Sequence, residues 1–174
     1  MNIDADDFTL LGLNRAFALD RAQLDAAWKT LQAQVHPDRF AADGAASQRI
    51  AMQWAVRVNE AHQRLKDPLK RAAYLCELAG VPVDAHNNTA MPGDFLMQQM
   101  QWREALEDAD SPAQVEALSD EVTAQRKARL ARVTQLLDVD SDAALAAKEV
   151  RALMFIDRLL EEIDARLERY EDAR

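Results

Sequence analysis

HPDRFAADG, residues 36–44, separates two strongly helical runs, and its reading decides the fold. Pro37 disfavours helical geometry at His36, so the run before it ends there. Upstream, Asp20 followed three residues later by Gln23 is a capping-box pattern. Leu24, Trp28, Leu31 and Val35 then recur at spacings of 4, 3 and 4, one face of a helix. Downstream, a second helix starts near residue 45, with Ile50, Trp54, Val58, Ala61 and Leu65 at spacings of 4, 4, 3 and 4. Two stripes of matched period joined by one loop predict an antiparallel hairpin, with Trp28 and Trp54 facing each other in its core.

Working outward, Phe8, Leu10, Leu11 and Leu13 form a short apolar segment able to cover one end of the hairpin. Asp67-Pro68 breaks the chain after it, and a short helix follows over 68–79, with Gly80 as its stop. Residues 80–93, GVPVDAHNNTAMPG, are turn formers without periodicity. They are expected to link two domains, 1–79 and 94–174. The second domain reads as three helices. One covers 94–109; a second opens at Ser111-Pro112, an N-cap and a first-turn proline, and runs to about 137. The third covers 141–170, with Leu153, Ile156, Leu160, Ile163, Leu167 and Tyr170 as a coiled-coil-like seam. The expected fold class is all-α: a helical hairpin with short flanking helices, then a three-helix bundle.

Composition agrees. The 174 residues are 49% hydrophobic and 29% charged, with 4 Gly and 5 Pro, and good helix formers dominate. The net charge of -9 does not suit a nucleic-acid backbone. It is uneven: residues 1–75 hold 10 Lys and Arg against 9 Asp and Glu, net +1, and residues 76–174 hold 11 against 21, net -10. Two halves of different charge suggest two different partners. Cys76 is the only cysteine, which excludes an internal disulfide and fits a reducing compartment. No apolar run approaches the roughly 20 residues of a membrane span. The acidic start, with Asp4, Asp6 and Asp7, argues against a signal peptide.

As a bare tripeptide, His36-Pro37-Asp38 reads first as a helix-ending turn. A metal site needs more ligands than His36, His62, His86 and one cysteine provide, and no HxxxH or CxxC pair occurs. A metal-dependent hydrolase using His36 and Asp38 would be a reading from a different class, although no nucleophile or glycine-rich loop lies nearby. The setting is more specific than the tripeptide. His-Pro-Asp between two long antiparallel helices, with a short helix on either side, resembles the J-domain of DnaJ-type co-chaperones. That resemblance implies that His36, Pro37 and Asp38, with Arg39 beside them, engage the ATPase domain of a DnaK-class chaperone and speed its ATP hydrolysis, the J-protein hydrolysing nothing itself. Pro37 limits the loop entropy lost on docking, and Asp38 offers a carboxylate to a partner arginine. One departure is visible. J-domains often carry a basic second helix, whereas residues 20–36 hold Arg21 and Lys29 against Asp20 and Asp25, net zero. Electrostatic steering is expected to be modest.

In the helix starting at residue 94, Phe95, Trp102 and Leu106 fall within roughly 20° of one direction at about 100° per residue. Leu96, Met97 and Met100 centre roughly 150° away. A three-helix bundle buries one side of each helix, so this second stripe is expected to be at least partly exposed. Phe155 likewise lies more than roughly 120° from the seam of the last helix. Periodicity alone leaves two readings: cover by the first domain or a dimer mate, or a binding surface.

Together, the N-terminal J-domain, the linker and the acidic bundle resemble the HscB family of iron–sulfur co-chaperones over essentially the whole chain. DFTLLGL (7–13), HPDRF (36–40), LKDPLKRAAYL (65–75) and DFLMQQMQWREALED (94–108) carry the resemblance in family order and spacing. It implies that the bundle holds the scaffold protein IscU through Leu96, Met97, Met100 and Phe155, with Gln101, Glu104 and Asp108 at the flanking acidic positions, while the first domain serves an HscA-type chaperone. Gln101 departs from the family's usual carboxylate. Some eukaryotic members carry an additional N-terminal zinc-binding cysteine segment; its absence here fits a bacterial-type protein with no metal. The resemblance further implies a cytoplasmic protein, monomeric alone and without a cofactor. Another client for the J-domain, or dimerisation through the apolar stripe, are the other readings. Cys76 is expected to be a small buried apolar residue, His62 and His86 surface or packing histidines, and Arg126, Lys127, Arg129 and Arg132 a solvated helix face.

Overall fold

The computed structural model describes residues 2–173. Among these described residues seven α-helices follow in order: α1 (Asp7–Leu10), α2 (Arg21–Val35), α3 (Ala45–Lys66), α4 (Pro68–Leu78), α5 (Phe95–Asp108), α6 (Pro112–Thr134) and α7 (Ala143–Asp172). No strand occurs among the described residues. The chain divides into two compact units, Met1–Leu75 and Cys76–Arg174.

In the first unit, α2 and α3 form the expected antiparallel hairpin, and their register can be read from side chains. Asp25 accepts a hydrogen bond from His62 Nε2 at 2.7 Å, and Trp28 Nε1 donates to Asn59 Oδ1 at 2.9 Å. Three residues forward on α2 is thus three residues back on α3. This register places Val35, the last residue of α2, near residue 52 of α3, so the start of α3 runs past the end of its partner. Ile50 accordingly stands 56% exposed, against its expected place in the core, and Ala51 takes the buried position. Trp28 and Trp54 are half-buried and do not face each other at the centre; Trp28 stacks on the buried His62, ring centroids 4.6 Å apart. The core is instead Leu24, Leu31, Val58, Ala61 and Leu65, closed at one end by Phe8, Leu10 and Leu11.

His62 is therefore a packing residue with a polar tether. Its hydrogen bond is the largest cause holding the Asp25 carboxyl below the ordinary value of 3.8; partial desolvation opposes it and Arg21 assists. A depressed carboxylate contributes stability that is present above its unfolded pKa and lost as pH falls through its folded one. Asp25→Asn is thus expected to lower the melting temperature at pH 7 and to leave it unchanged at a pH below both values. An equal deficit at both pH values would contradict this account.

The N-terminus supplies a feature that the hydrophobic pattern does not show. Asp6 caps α1, its side chain accepting from the Phe8 and Thr9 amides. Asp7, one residue on, is fully buried, with Arg57 Nη1 at 2.8 Å from one carboxylate oxygen and Arg64 Nε at 3.4 Å from the other. Neither oxygen has a hydrogen bond of good geometry, so the two arginines of α3 neutralise it as ion pairs. Tyr74 closes the site, its hydroxyl accepting from the Asp7 amide at 3.0 Å.

The second unit begins inside α4, and residues 80–93, read above as the linker, belong to it. Val83 is buried, and the buried Arg151 of α7 donates to Val83 O at 2.9 Å and Ala90 O at 2.8 Å. A guanidinium that satisfies two loop carbonyls fastens the segment to α7. Cys76 is buried here as well, and desolvation pushes its thiol up to about 11.

Helices α5, α6 and α7 form the bundle. Contacts Gln98–Arg129 and Trp102–Glu121 run α5 antiparallel to α6, and Arg126–Asp157 and Arg132–Glu149 run α6 antiparallel to α7. Phe95, Trp102 and Leu106 face inward, as their spacing predicts. On α7 the buried stripe is wider than a two-helix seam, because the helix meets two neighbours. Leu159 is fully buried where Leu160 was expected, and Leu160 and Leu167 are only half-buried. The arginines of α6 are not all a solvated face. Arg129 is buried against Glu149, Arg132 reaches the same carboxylate, and Arg126 pairs with Asp157 at 2.6 Å. Beyond α6, a turn of π-helix (Gln135–Val139) leads to Asp142, which caps α7 by accepting from the Leu145 amide.

Candidate docking surfaces

The His-Pro-Asp corner is not an irregular loop but a single turn of 3-10 helix, Pro37–Phe40. His36 adopts φ -59° and ψ 129°, the extended geometry that a following proline enforces. Its Nδ1 accepts from the Asp38 amide at 3.3 Å and lies 3.5 Å from Asp38 Oδ2. With Nδ1 used as an acceptor, the neutral imidazole carries its proton on Nε2, which leaves an N–H donor for another molecule. The His36 side chain is 49% exposed and that of Asp38 92%. Arg39 turns back and donates to Ala33 O at 3.2 Å, satisfying a carbonyl in the last turn of α2. Residues 36–39 thus form a stiff, exposed corner at the tip of the hairpin. Val35, Phe40, Ile50 and Trp54 line an open cleft of about 470 Å³ beside it.

On the second unit, Leu96, Met97 and Met100 are 65%, 69% and 66% exposed. They occupy the first two turns of α5, on the side away from Phe95 and Trp102. Gln101, Glu104 and Asp108 are exposed along the same helix. Phe155 stands differently. It is half-buried, its ring edge-to-face with Phe95 at 5.7 Å, and the Arg103 guanidinium lies 5.2 Å from its centroid while also pairing with Glu162. Arg103 therefore borders this surface between α5 and α7, a place its charged helical position did not disclose. Leucine and methionine side chains in water, with flexible thioethers among them, make an adaptable contact surface.

Among the described residues no group of three or more His, Cys, Asp or Glu is placed to hold a metal ion. No helix among them is long and apolar enough to cross a membrane.

A helical hairpin tipped by His-Pro-Asp, followed by a three-helix bundle, defines a two-part J-domain protein. The family model for the HscB C-terminal oligomerisation domain matches residues 91–164. A co-chaperone protein HscB homolog from Burkholderia thailandensis is 56% identical over 167 residues, 94% of this chain and 95% of that protein. The solved chaperone HscB from Vibrio cholerae superposes with a TM-score of 0.78 at 37% identity, covering 97% of this chain and 99% of that one. The human co-chaperone HscB structure gives a TM-score of 0.83 at 26% identity, covering 95% and 84%. The chain belongs to the HscB family of co-chaperones.

Proposed function

We propose that this protein joins two partners. Through His36, Pro37, Asp38 and Arg39 it stimulates the ATPase of an HscA-type, DnaK-class chaperone. Through Leu96, Met97, Met100 and Phe155, flanked by Gln101, Glu104 and Asp108, it binds an IscU-type scaffold and delivers it to that chaperone for iron–sulfur cluster transfer. The iron–sulfur cluster is cargo on the scaffold, and this chain, monomeric by itself in a bacterial-type cytoplasm, performs no hydrolysis. The observation that carries the reading is the row of three large apolar side chains left in water on α5, in a chain that separately exposes a proline-stiffened His-Pro-Asp corner. Holding both partners on one chain raises their effective concentration for each other.

The test is the steady-state ATPase rate of an HscA-type chaperone with an IscU-type scaffold, with and without this protein. Synergistic stimulation is expected. His36→Gln removes the imidazole donor, and leaving its partner group unsatisfied costs about 1–3 kcal/mol, which should reduce stimulation roughly tenfold or more. The His36 side chain is half in water, so the variant should fold normally. Stimulation that survives His36→Gln would remove the corner from the mechanism. A scaffold that the wild type fails to capture in a pull-down would point to a different client.

A further inference from the structure

The α5 surface has a weakness in its own helix. Leu96, Met97 and Met100 lie in the first two turns, where helices fray most readily. The usual remedy is absent: Asp94 stands at the N-cap with helical φ and ψ and makes no side-chain capping hydrogen bond. Contacts from outside the helix take the cap's place: the Phe95 amide donates to Pro92 O at 3.0 Å, and α6 supplies a side chain.

Arg129 of α6 reaches them. Its Nη2 lies 3.4 Å from Gln98 Oε1 and 3.8 Å from Asp94 Oδ2, and its guanidinium carbon sits 4.5 Å from the centroid of the Phe95 ring. Asp94, Phe95 and Gln98 alternate along the chain with Leu96, Met97 and Met100. Arg129 is itself anchored from behind, Nη1 donating to Glu149 Oε2 at 2.8 Å, while Arg132 occupies the other Glu149 oxygen at 3.0 Å. Arg129 and Glu149 are both buried, and the Arg129 Nε has no partner among the described residues. Desolvating two charges is costly, and a well-packed apolar pair of similar volume commonly stabilises as much or more. Stability alone is thus a poor reason for this pair. What it supplies is direction: a planar fork aimed by Glu149 at one side of the uncapped turns of α5.

We infer that Arg129, oriented by Glu149, is the positioning residue of the α5 docking surface, fixing the first two turns so that Leu96, Met97 and Met100 are presented as one rigid face. This role rests on that face being the scaffold site proposed above. It contributes to affinity by reducing the ordering that binding would otherwise require.

The experiment compares wild type with Arg129→Met/Glu149→Met, which removes both buried charges together. Thermal unfolding, amide hydrogen exchange at residues 98–102 and 150–160, and calorimetric titration with an IscU-type scaffold are measured on each. The expected result is a melting temperature near that of wild type and unchanged protection over 150–160. Exchange at 98–102, the first amides with helical hydrogen bonds, should be about tenfold faster and scaffold affinity about tenfold weaker, the size of effect known for residues that act on a site from behind it. If the double variant does not fold, Arg129→Lys takes its place. It keeps a charge beside Glu149 and gives up the fork and the ring contact, so the same loosening is expected. Scaffold affinity within twofold of wild type, or unchanged protection at 98–102, overturns the positioning role. A wild-type protein that binds no scaffold overturns the docking assignment itself, and the two failures are told apart by that control.

Discussion

Replacing Leu96, Met97 and Met100 together by alanine is expected to lower affinity for an IscU-type scaffold by about a thousandfold and to leave the fold intact. Each side chain stands roughly two-thirds in water, so its truncation removes few internal contacts. Surface changes of this sort move stability by about 0.5 kcal/mol or less. Burying such a side chain at an interface is worth on the order of 1.5 kcal/mol. Three together give about 4.5 kcal/mol, which is roughly three decades in the dissociation constant. Phe155 is deliberately left out. Its ring packs on Phe95 and under Arg103, so Phe155→Ala would weaken the bundle as well as the surface and confound the two effects. Isothermal titration with the scaffold and a melting curve of the free protein suffice. An unchanged titration would mean that the exposed row is not a docking surface, and a collapsed melting curve would mean that it is not a free one.

Asp7→Ala should have the largest effect on stability. The carboxylate is fully buried and is the common partner of Arg57 and Arg64. Removing one member of a buried ion pair leaves a charge without compensation, at a cost of about 3 kcal/mol or more. Arg64 is partly in water and Arg57 keeps its bonds to Ile3 O and Ala5 O, so the lower end of that range is expected. For a unit of this size, about 3 kcal/mol lowers the melting temperature by roughly 15 °C. Urea unfolding followed by far-ultraviolet circular dichroism would show the first unit's transition at lower denaturant. Asp7→Ala/Arg57→Met, which removes the uncompensated charge too, should recover part of the loss. A single variant as stable as wild type would show that α1 is held by its apolar residues alone. Since α1 and the His-Pro-Asp corner belong to the same folding unit, the same variant should lose ATPase stimulation near its own transition temperature.

Residue 7 shows where reading along the chain stops. Asp4, Asp6 and Asp7 look alike in a row of acidic residues. Only the fold separates them into a helix cap and a buried counter-ion for two arginines some 50 residues away. A trace of this existed, because Arg57 and Arg64 are seven apart and share a face of α3, but nothing in the local pattern tied them to Asp7. The same holds for Arg129. A basic cluster on a helix reads as solvated until Glu149 of α7 is brought beneath it. Ile50 is the converse: it continues an apolar stripe, yet α2 ends too soon to cover it.

The elements themselves were legible because helical periodicity, caps and breakers are properties of short segments. Asp20, Pro37, Pro68, Gly80 and Ser111-Pro112 punctuate the chain close to the places where its helices begin and end. The His-Pro-Asp corner and the two opposed stripes of α5 could be read the same way. Which stripe is buried, which arginine finds a carboxylate, and whether residues 80–93 hang free or are fastened by Arg151 depend on neighbours distant in sequence. Those were decided only when three helices packed, since burial and charge pairing belong to the assembled unit and not to any one segment.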